Sequence, residues 1–173
     1  MNPTIQHDFV RDKIAIFFIR DPRDILVSSY YSFGFTHGFS KVDTIKVRQE
    51  ANKRRICEMT LDEYVLESAD KQVELFKTLY WLSKTCRRGV VLRYEDMIND
   101  FDGFAEELSQ YIALEDATIE GIYQKTRPRE KEDVTSHRRS GKVEGFREKL
   151  EKSTILAVNN KLADILTLFD YRD

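Results

Sequence analysis

The sequence has little of what marks secreted, metal-binding or membrane proteins. Its 173 residues include two cysteines, Cys57 and Cys86, which lie far apart and form no CxxC pair. No cluster of cysteine and histidine has the spacing of a zinc site, so we expect free thiols and no metal. The longest apolar run has six residues, far fewer than the roughly 20 of a membrane helix, and the first residues do not resemble a signal peptide. We therefore expect a cytoplasmic protein without a membrane partner.

The sequence also lacks a strong charge of either sign. The net charge is −2, which argues against general recruitment of nucleic acid, so a basic site would have to be local. Hydrophobic residues make up 41% and aromatic residues 12%, enough to offset chain entropy by burial. The length suits one domain, and we take residues 1–173 as a single domain.

A buried strand followed directly by a helix is predicted near the start of the chain. The run from Ile14 to Ile19 is continuous, apolar and rich in β-branched and aromatic residues. Such runs are typical of strands buried on both faces of a parallel sheet. Asp21 is predicted to be the N-cap of the helix that follows, with Pro22 as its first residue.

This strand-to-helix junction is a candidate anion site. A helix N-terminus offers N–H groups and the positive end of its dipole, and Arg20 adds a forked cation. Ser28 lies about two turns on, on the face of Asp21. The alternative is that Arg20 pairs with Asp21 or Asp24 and that Ser28 is an ordinary surface hydroxyl; spacing alone leaves both open.

Further along, the pattern predicts one more strand, at residues 89–95, and several helices. Residues 34–59 are polar and mostly basic without a clear period, and are interpreted as a surface excursion or lid. Residues 127–149 are charged and are interpreted as loop at their centre. The predicted helices begin near Thr60, Asp70, Asn99 or Asp100, Asp116 and Ser153. Two strands are too few for a stable sheet covered by helices on both faces. Either further strands lie in segments interpreted as helix or loop, or part of the parent domain is missing, and we favour the second.

Residues 18–31, with the sequence FIRDPRDILVSSYY, resemble a segment of the sulfotransferases that use 3′-phosphoadenosine 5′-phosphosulfate (PAPS). In that family, the pattern R-[DN]-P-[RK]-D-x-x-x-S binds the 3′-phosphate of the nucleotide. The resemblance places its arginine at Arg20 and its serine at Ser28.

Two later segments add to the resemblance. Residues 91–97 (VLRYEDM) are similar to a second strand of the family, whose tyrosine lies near the adenine and here is Tyr94. Residues 137–147 resemble a late loop, R-x-G-x-x-G-x-W-[KR], that closes on the 3′-phosphate. The nucleotide-binding residues implied are Arg20, Ser28, Tyr94, Arg138, Arg139, Ser140 and Gly141.

The late loop departs from the family pattern at three positions. Ser140 stands where lysine is frequent, Gly145 is displaced by one position from the second glycine, and Phe146 replaces the tryptophan. The chain also shows no P-loop-like segment for the 5′-phosphosulfate, and no histidine in the expected catalytic context. No catalytic residue is assigned for this reason.

The resemblance implies an α/β fold, a three-layer arrangement like that of P-loop NTPases around a parallel sheet, here helix-rich and without its first strands. It implies in-line transfer of a sulfuryl group from PAPS to a hydroxyl or amine of a small-molecule acceptor, leaving 3′,5′-bisphosphoadenosine, with no metal. The alternatives are a non-catalytic 3′-phosphoadenosine-binding module or a truncated, inactive fragment. A nucleic-acid-binding protein ranks last because of the net charge. An open strand edge would also favour a homo-oligomer.

Overall fold

The computed structural model describes residues 12–128 and 141–171, and these form two compact units. The first, here called the sheet unit, comprises residues 12–20 and 73–127. The second, the helical unit, comprises residues 21–72, 128 and 141–171. Each unit is described by itself.

The sheet unit contains two parallel strands, β1 (Ile14–Ile19) and β2 (Arg88–Arg93), in register from Ile14 opposite Arg88 to Ile19 opposite Arg93. The parallel pairing of these strands confirms the parallel sheet predicted from the apolar runs. Residues 20–87 form the crossover connection that parallel neighbours need. The helices after β2 are α4 (Tyr94–Asn99), α5 (Phe101–Ser109) and α6 (Asp116–Thr126). Their core is formed by Val90, Leu92, Met97 and Phe104.

The helical unit begins with α1 (Pro22–Tyr31), which continues into a π-helical turn (Ser32–Thr36). The next helices are α2 (Asp43–Cys57) and α3 (Leu61–Thr85), of which residues 61–72 belong to this unit and the rest to the sheet unit. After the gap in the described chain come α7 (Phe146–Lys149) and α8 (Lys152–Leu168). The described residues thus make a helix-rich α/β structure with a small parallel sheet.

Strand β1 is not buried on both faces, and that prediction was wrong. Ile14, Ile16 and Phe18 are 43%, 38% and 51% exposed, whereas Ile19 is buried. Successive side chains of a strand point to opposite faces, so the exposed residues share one face. A continuous apolar run predicts a strand correctly but does not show how many of its faces are covered.

The segment predicted as an irregular excursion, residues 34–59, contains the helix α2. Ile56 is its one buried residue, and Ile45 and Val47 are exposed. Helix α2 thus buries no apolar stripe of helical period. Its lysine, arginine, glutamate and glutamine residues are nevertheless good helix formers, which accounts for the element.

Several predicted helix ends are confirmed and others are corrected. The capping box at Thr60 is present: the Glu63 carboxylate accepts from the Thr60 backbone N–H (2.8 Å), and the Glu63 N–H donates to the Thr60 hydroxyl (3.2 Å). The helices predicted at Thr60 and Asp70 are one helix, α3. The predicted cap at Ser153 is wrong, since α8 begins at Lys152 without a side-chain cap.

Candidate functional site

Arg20 and Tyr94 meet at the carboxyl edge of the two-stranded sheet. Ile19 and Arg93 are register partners, so the next residue of each strand lies at the same edge. The guanidinium carbon of Arg20 is 4.5 Å from the centroid of the Tyr94 ring, and both side chains are half-buried. This cation–π contact joins two residues that the sequence analysis selected from separate segments.

The Tyr94 ring is held by aromatic neighbours. Tyr94 is the first residue of α4 rather than the end of a strand, which corrects the predicted strand range. Its ring meets Phe18 edge-on at 6.4 Å between centroids, and Phe18 meets Phe104 at 5.9 Å. A forked cation beside a fixed aromatic ring at the carboxyl end of parallel strands can accept an anionic group carried by a flat, apolar body.

The N-terminus of α1 is capped by the protein's own carboxylate. Asp21 is the N-cap, as predicted, and its Oδ1 accepts from the Arg23 backbone N–H at 2.8 Å. Pro22 has no N–H to offer. Neither Pro22 nor the Arg23 N–H is therefore available to an external anion, contrary to the expectation for this helix end.

Asp21 forms an ion pair with Arg23, a residue that the sequence analysis did not single out. Arg23 is 1% exposed, and its bonds to Asp21 include Nε to Oδ1 at 3.0 Å and Nη2 to Oδ2 at 2.8 Å. Its Nη1 donates to Asn159 on α8 (3.0 Å), and its guanidinium lies over the Phe146 ring at 4.3 Å. Arg23 therefore organises the helical unit.

Asp24 and Phe146 form the second link between α1 and the late segment. The Phe146 backbone N–H donates to the Asp24 carboxylate at 2.9 Å, and both residues are buried. Phe146 replaces the tryptophan of the family pattern and is a core residue at the start of α7. No local sequence signal marks this bond, because its two residues lie 122 positions apart in the chain.

Glycine is required at one position of the late segment but not at another. Gly141 has φ of 71°, and Glu144, which occupies the position of the family's second glycine, has φ of 57°. Gly145 has φ of −60°, which any residue adopts. The left-handed conformation thus lies at Gly141 and Glu144, whereas the backbone at Gly145 does not require glycine.

The remaining predicted site residues lie in the helical unit or outside the described residues. Ser28 lies in α1 in the helical unit, half-buried, and its carbonyl accepts from the Ser32 N–H. Arg138, Arg139 and Ser140 lie outside the described residues. Gly141 is the first described residue after that gap.

Three groups in the helical unit have shifted pKa values, each with a structural cause. Burial raises the pKa of the Tyr64 hydroxyl above its ordinary 10.0. Burial and the neighbouring Tyr31 raise the pKa of Tyr30, whose hydroxyl donates to the Met59 carbonyl at 2.9 Å. The Thr60 backbone N–H holds the pKa of Glu63 below 4.5. Both tyrosines stay neutral near pH 7, so neither serves as a base there.

Residues 12–128 and 141–171 contain neither a cluster of metal-ligating side chains nor a helix that could span a membrane. No group of three or more histidine, cysteine, aspartate or glutamate side chains is placed to hold a metal ion. None of the helices described is both long enough and apolar enough to cross a bilayer.

Comparison with known proteins gives one positive finding. Residues 7–162, most of the chain, match the family model described as a sulfotransferase domain. Searches of the curated proteins and of the solved structures returned no significant match. The family match covers β1, β2, the Arg20–Tyr94 pair and most of α8.

Proposed function

Because the chain belongs to the sulfotransferase domain family, we propose that it transfers a sulfuryl group from PAPS to a hydroxyl or amine of a small-molecule acceptor. The observation that carries the proposal is the contact of Arg20 with Tyr94 at the carboxyl ends of β1 and β2. Open α/β sheets bind ligands at this edge. The donor nucleotide combines a phosphate with a flat base, which is the chemistry this pair suits.

Each candidate residue has a distinct role in this proposal. The Arg20 guanidinium donates in a forked geometry to the 3′-phosphate, and the Tyr94 ring contacts the adenine side. By the family resemblance, Ser28, Arg138, Arg139, Ser140 and Gly141 are also assigned to binding of the 3′-phosphate.

The chemistry resembles phosphoryl transfer, in which the protein positions groups and neutralises charge. The acceptor oxygen or nitrogen forms a bond to sulfur, and the bond from sulfur to the 5′-phosphate oxygen breaks. The acceptor loses its proton and 3′,5′-bisphosphoadenosine leaves. The residues named here hold the nucleotide, and none of them is assigned as the base.

The decisive experiment measures binding of 3′,5′-bisphosphoadenosine and of 5′-AMP by calorimetry, and PAPS turnover with phenol, alcohol and amine acceptors. A charge-assisted bond contributes about 1.5–3 kcal/mol, so we expect Arg20→Gln to weaken bisphosphoadenosine binding by roughly tenfold to a hundredfold. The same variant should slow turnover and leave AMP binding nearly unchanged, because AMP lacks the 3′-phosphate.

Arg127→Gln is the matched control. Arg127 also lies over a tyrosine ring of the sheet unit, Tyr123, at 4.5 Å, but it does so at the end of α6. We expect this variant to bind and turn over like the wild type. Equal affinity of the wild type for the two nucleotides, or equal loss of bisphosphoadenosine affinity in the two arginine variants, would show that Arg20 does not bind the 3′-phosphate.

A further inference from the structure

The helical unit contains a cleft that the proposed function does not use. It lies between α2 and the segment that follows α1, and it has a volume of about 440 Å³. Pockets for small ligands typically measure about 300–1,000 Å³. The residues that line it include Phe33, His37, Phe39, Ile45, Arg48, Gln49 and Asn52.

One part of the cleft wall is apolar and accessible. Phe33, Phe39 and Ile45 are 45%, 44% and 47% exposed. Two of the three are aromatic rings, which favour flat or chain-like apolar groups. This wall suits the body of a small organic molecule.

Two side-chain amides contribute to the polar part of the cleft. Gln49 Oε1 accepts from the Ser40 backbone N–H at 2.6 Å, and Asn52 Oδ1 accepts from Arg55 Nη2 at 3.3 Å. Because both carbonyl oxygens accept bonds from the protein, what each amide offers a ligand is the NH₂ donor. The spacing of Arg48, Gln49 and Asn52 places them on one face of α2.

Arg48 adds the charge, and no carboxylate lines this cleft. Other cations of α2 have partners: Lys46 lies 3.9 Å from Glu50, Arg55 pairs with Glu67, and Lys53 lies over the Phe39 ring. Within the described part of the chain, Arg48 makes no ion pair. The cleft therefore combines an apolar wall with one cation and two amide donors.

From this combination we propose that the cleft binds a small molecule with an aromatic or aliphatic body and a single carboxylate group. The carboxylate meets Arg48 and the amides of Gln49 and Asn52, and the body packs on Phe33, Phe39 and Ile45. One guanidinium matches one negative charge, whereas a phosphate monoester carries nearly two and recruits further cations. The inference concerns binding only and holds whether or not sulfuryl transfer occurs.

The test uses the full chain with 4-phenylbutyrate as the probe and 4-phenylbutanamide as its neutral counterpart. Affinity is measured by calorimetry, and the position of binding by NMR chemical shifts of Phe33, Phe39 and the Asn52 side-chain amide. We expect the acid to bind at least about tenfold more tightly than the amide, because a charged hydrogen bond is lost in the neutral probe.

Two variants of α2 separate the cleft from the general basicity of the helix. Arg48→Gln should weaken binding of the acid at least about tenfold and leave binding of the amide nearly unchanged. Arg54→Gln removes the same charge from the same helix, but Arg54 lines a different cleft, together with Glu50 and Glu58. Its affinity for the acid should stay within about twofold of the wild type. Circular dichroism checks that both variants fold.

Three results would overturn the proposal. The first is no binding of the acid at millimolar concentration. The second is equal affinity for the acid and the amide, which would mean that the cleft does not select an anion. The third is equal weakening by Arg48→Gln and Arg54→Gln. This result would mean that the general positive charge of α2, and not a contact in the cleft, attracts the acid.

Discussion

Arg23 connects three separate parts of the helical unit through its buried guanidinium. Its buried guanidinium joins Asp21 at the start of α1 to Asn159 on α8 and covers the Phe146 ring. Removing one partner of a buried ion pair leaves the other charge uncompensated, at a cost of about 3–5 kcal/mol. We expect Arg23→Met to lower the free energy of unfolding by that amount, measured by urea denaturation.

Arg147→Met is the control for this prediction. Arg147 also lies over the Phe146 ring, at 5.1 Å, but it is exposed and pairs with Glu144. Exposed pairs contribute about 0–1 kcal/mol, so this variant should lose little. Similar losses in the two variants would mean that burial of the Arg23 charge is not what matters.

The left-handed backbone near α7 gives a second prediction at the residue scale. An L-residue in this conformation costs about 1–2 kcal/mol relative to glycine, and Glu144 adopts it with φ of 57°. Glu144→Gly should therefore raise the free energy of unfolding only slightly, by less than about 1 kcal/mol, after loss of the exposed pair with Arg147 and the added entropy of the unfolded chain.

The neighbouring glycines are the controls, compared in the same urea experiment. Gly141→Ala should destabilise the protein by about 1 kcal/mol or more, because Gly141 has φ of 71°. Gly145→Ala should be tolerated, since its φ is −60° and an added Cβ would lie 3.6 Å from Asp24 Oδ1. A loss of stability in Glu144→Gly would contradict the account.

At the scale of the element, local signals were predicted well. Asp21 and Pro22 specify the start of α1, and the bonds between Thr60 and Glu63 specify the start of α3, because these interactions span only a few residues. Helix α2 was missed because its stability does not come from an apolar stripe. A helix start was predicted at Asp70 because aspartate is a common N-cap. Asp70 instead lies inside α3, where its carboxylate accepts a hydrogen bond from Lys161.

Contacts between elements could not be predicted in the same way. Arg20 and Tyr94 were both selected from the sequence, but their contact depends on the register of β1 with β2. The bond from Phe146 to Asp24 joins residues 122 positions apart and has no local signature. Burial of Arg23 depends on the same packing. Individual candidate residues could therefore be selected from the sequence, but the contacts between elements could not.

At the scale of the whole molecule, charge and apolar surface are unevenly distributed. The chain has a net charge of −2, yet α2 carries five lysine and arginine residues against two acidic ones. In β1, three apolar residues of one face are exposed, and β2 is the one strand that pairs with it among the described residues. An unpaired edge beside exposed apolar side chains favours association with another chain.

We therefore expect the isolated protein to self-associate reversibly, with a sedimentation coefficient that rises with concentration. Ile16→Lys should reduce this association, because a lysine on an edge strand opposes pairing with a second chain. Val47→Lys is the control, since Val47 is 63% exposed, more than Ile16, but belongs to the helix α2 and not to a strand. It should leave the concentration dependence unchanged. A monomer at all concentrations, or equal effects of the two lysines, would show that β1 does not drive association.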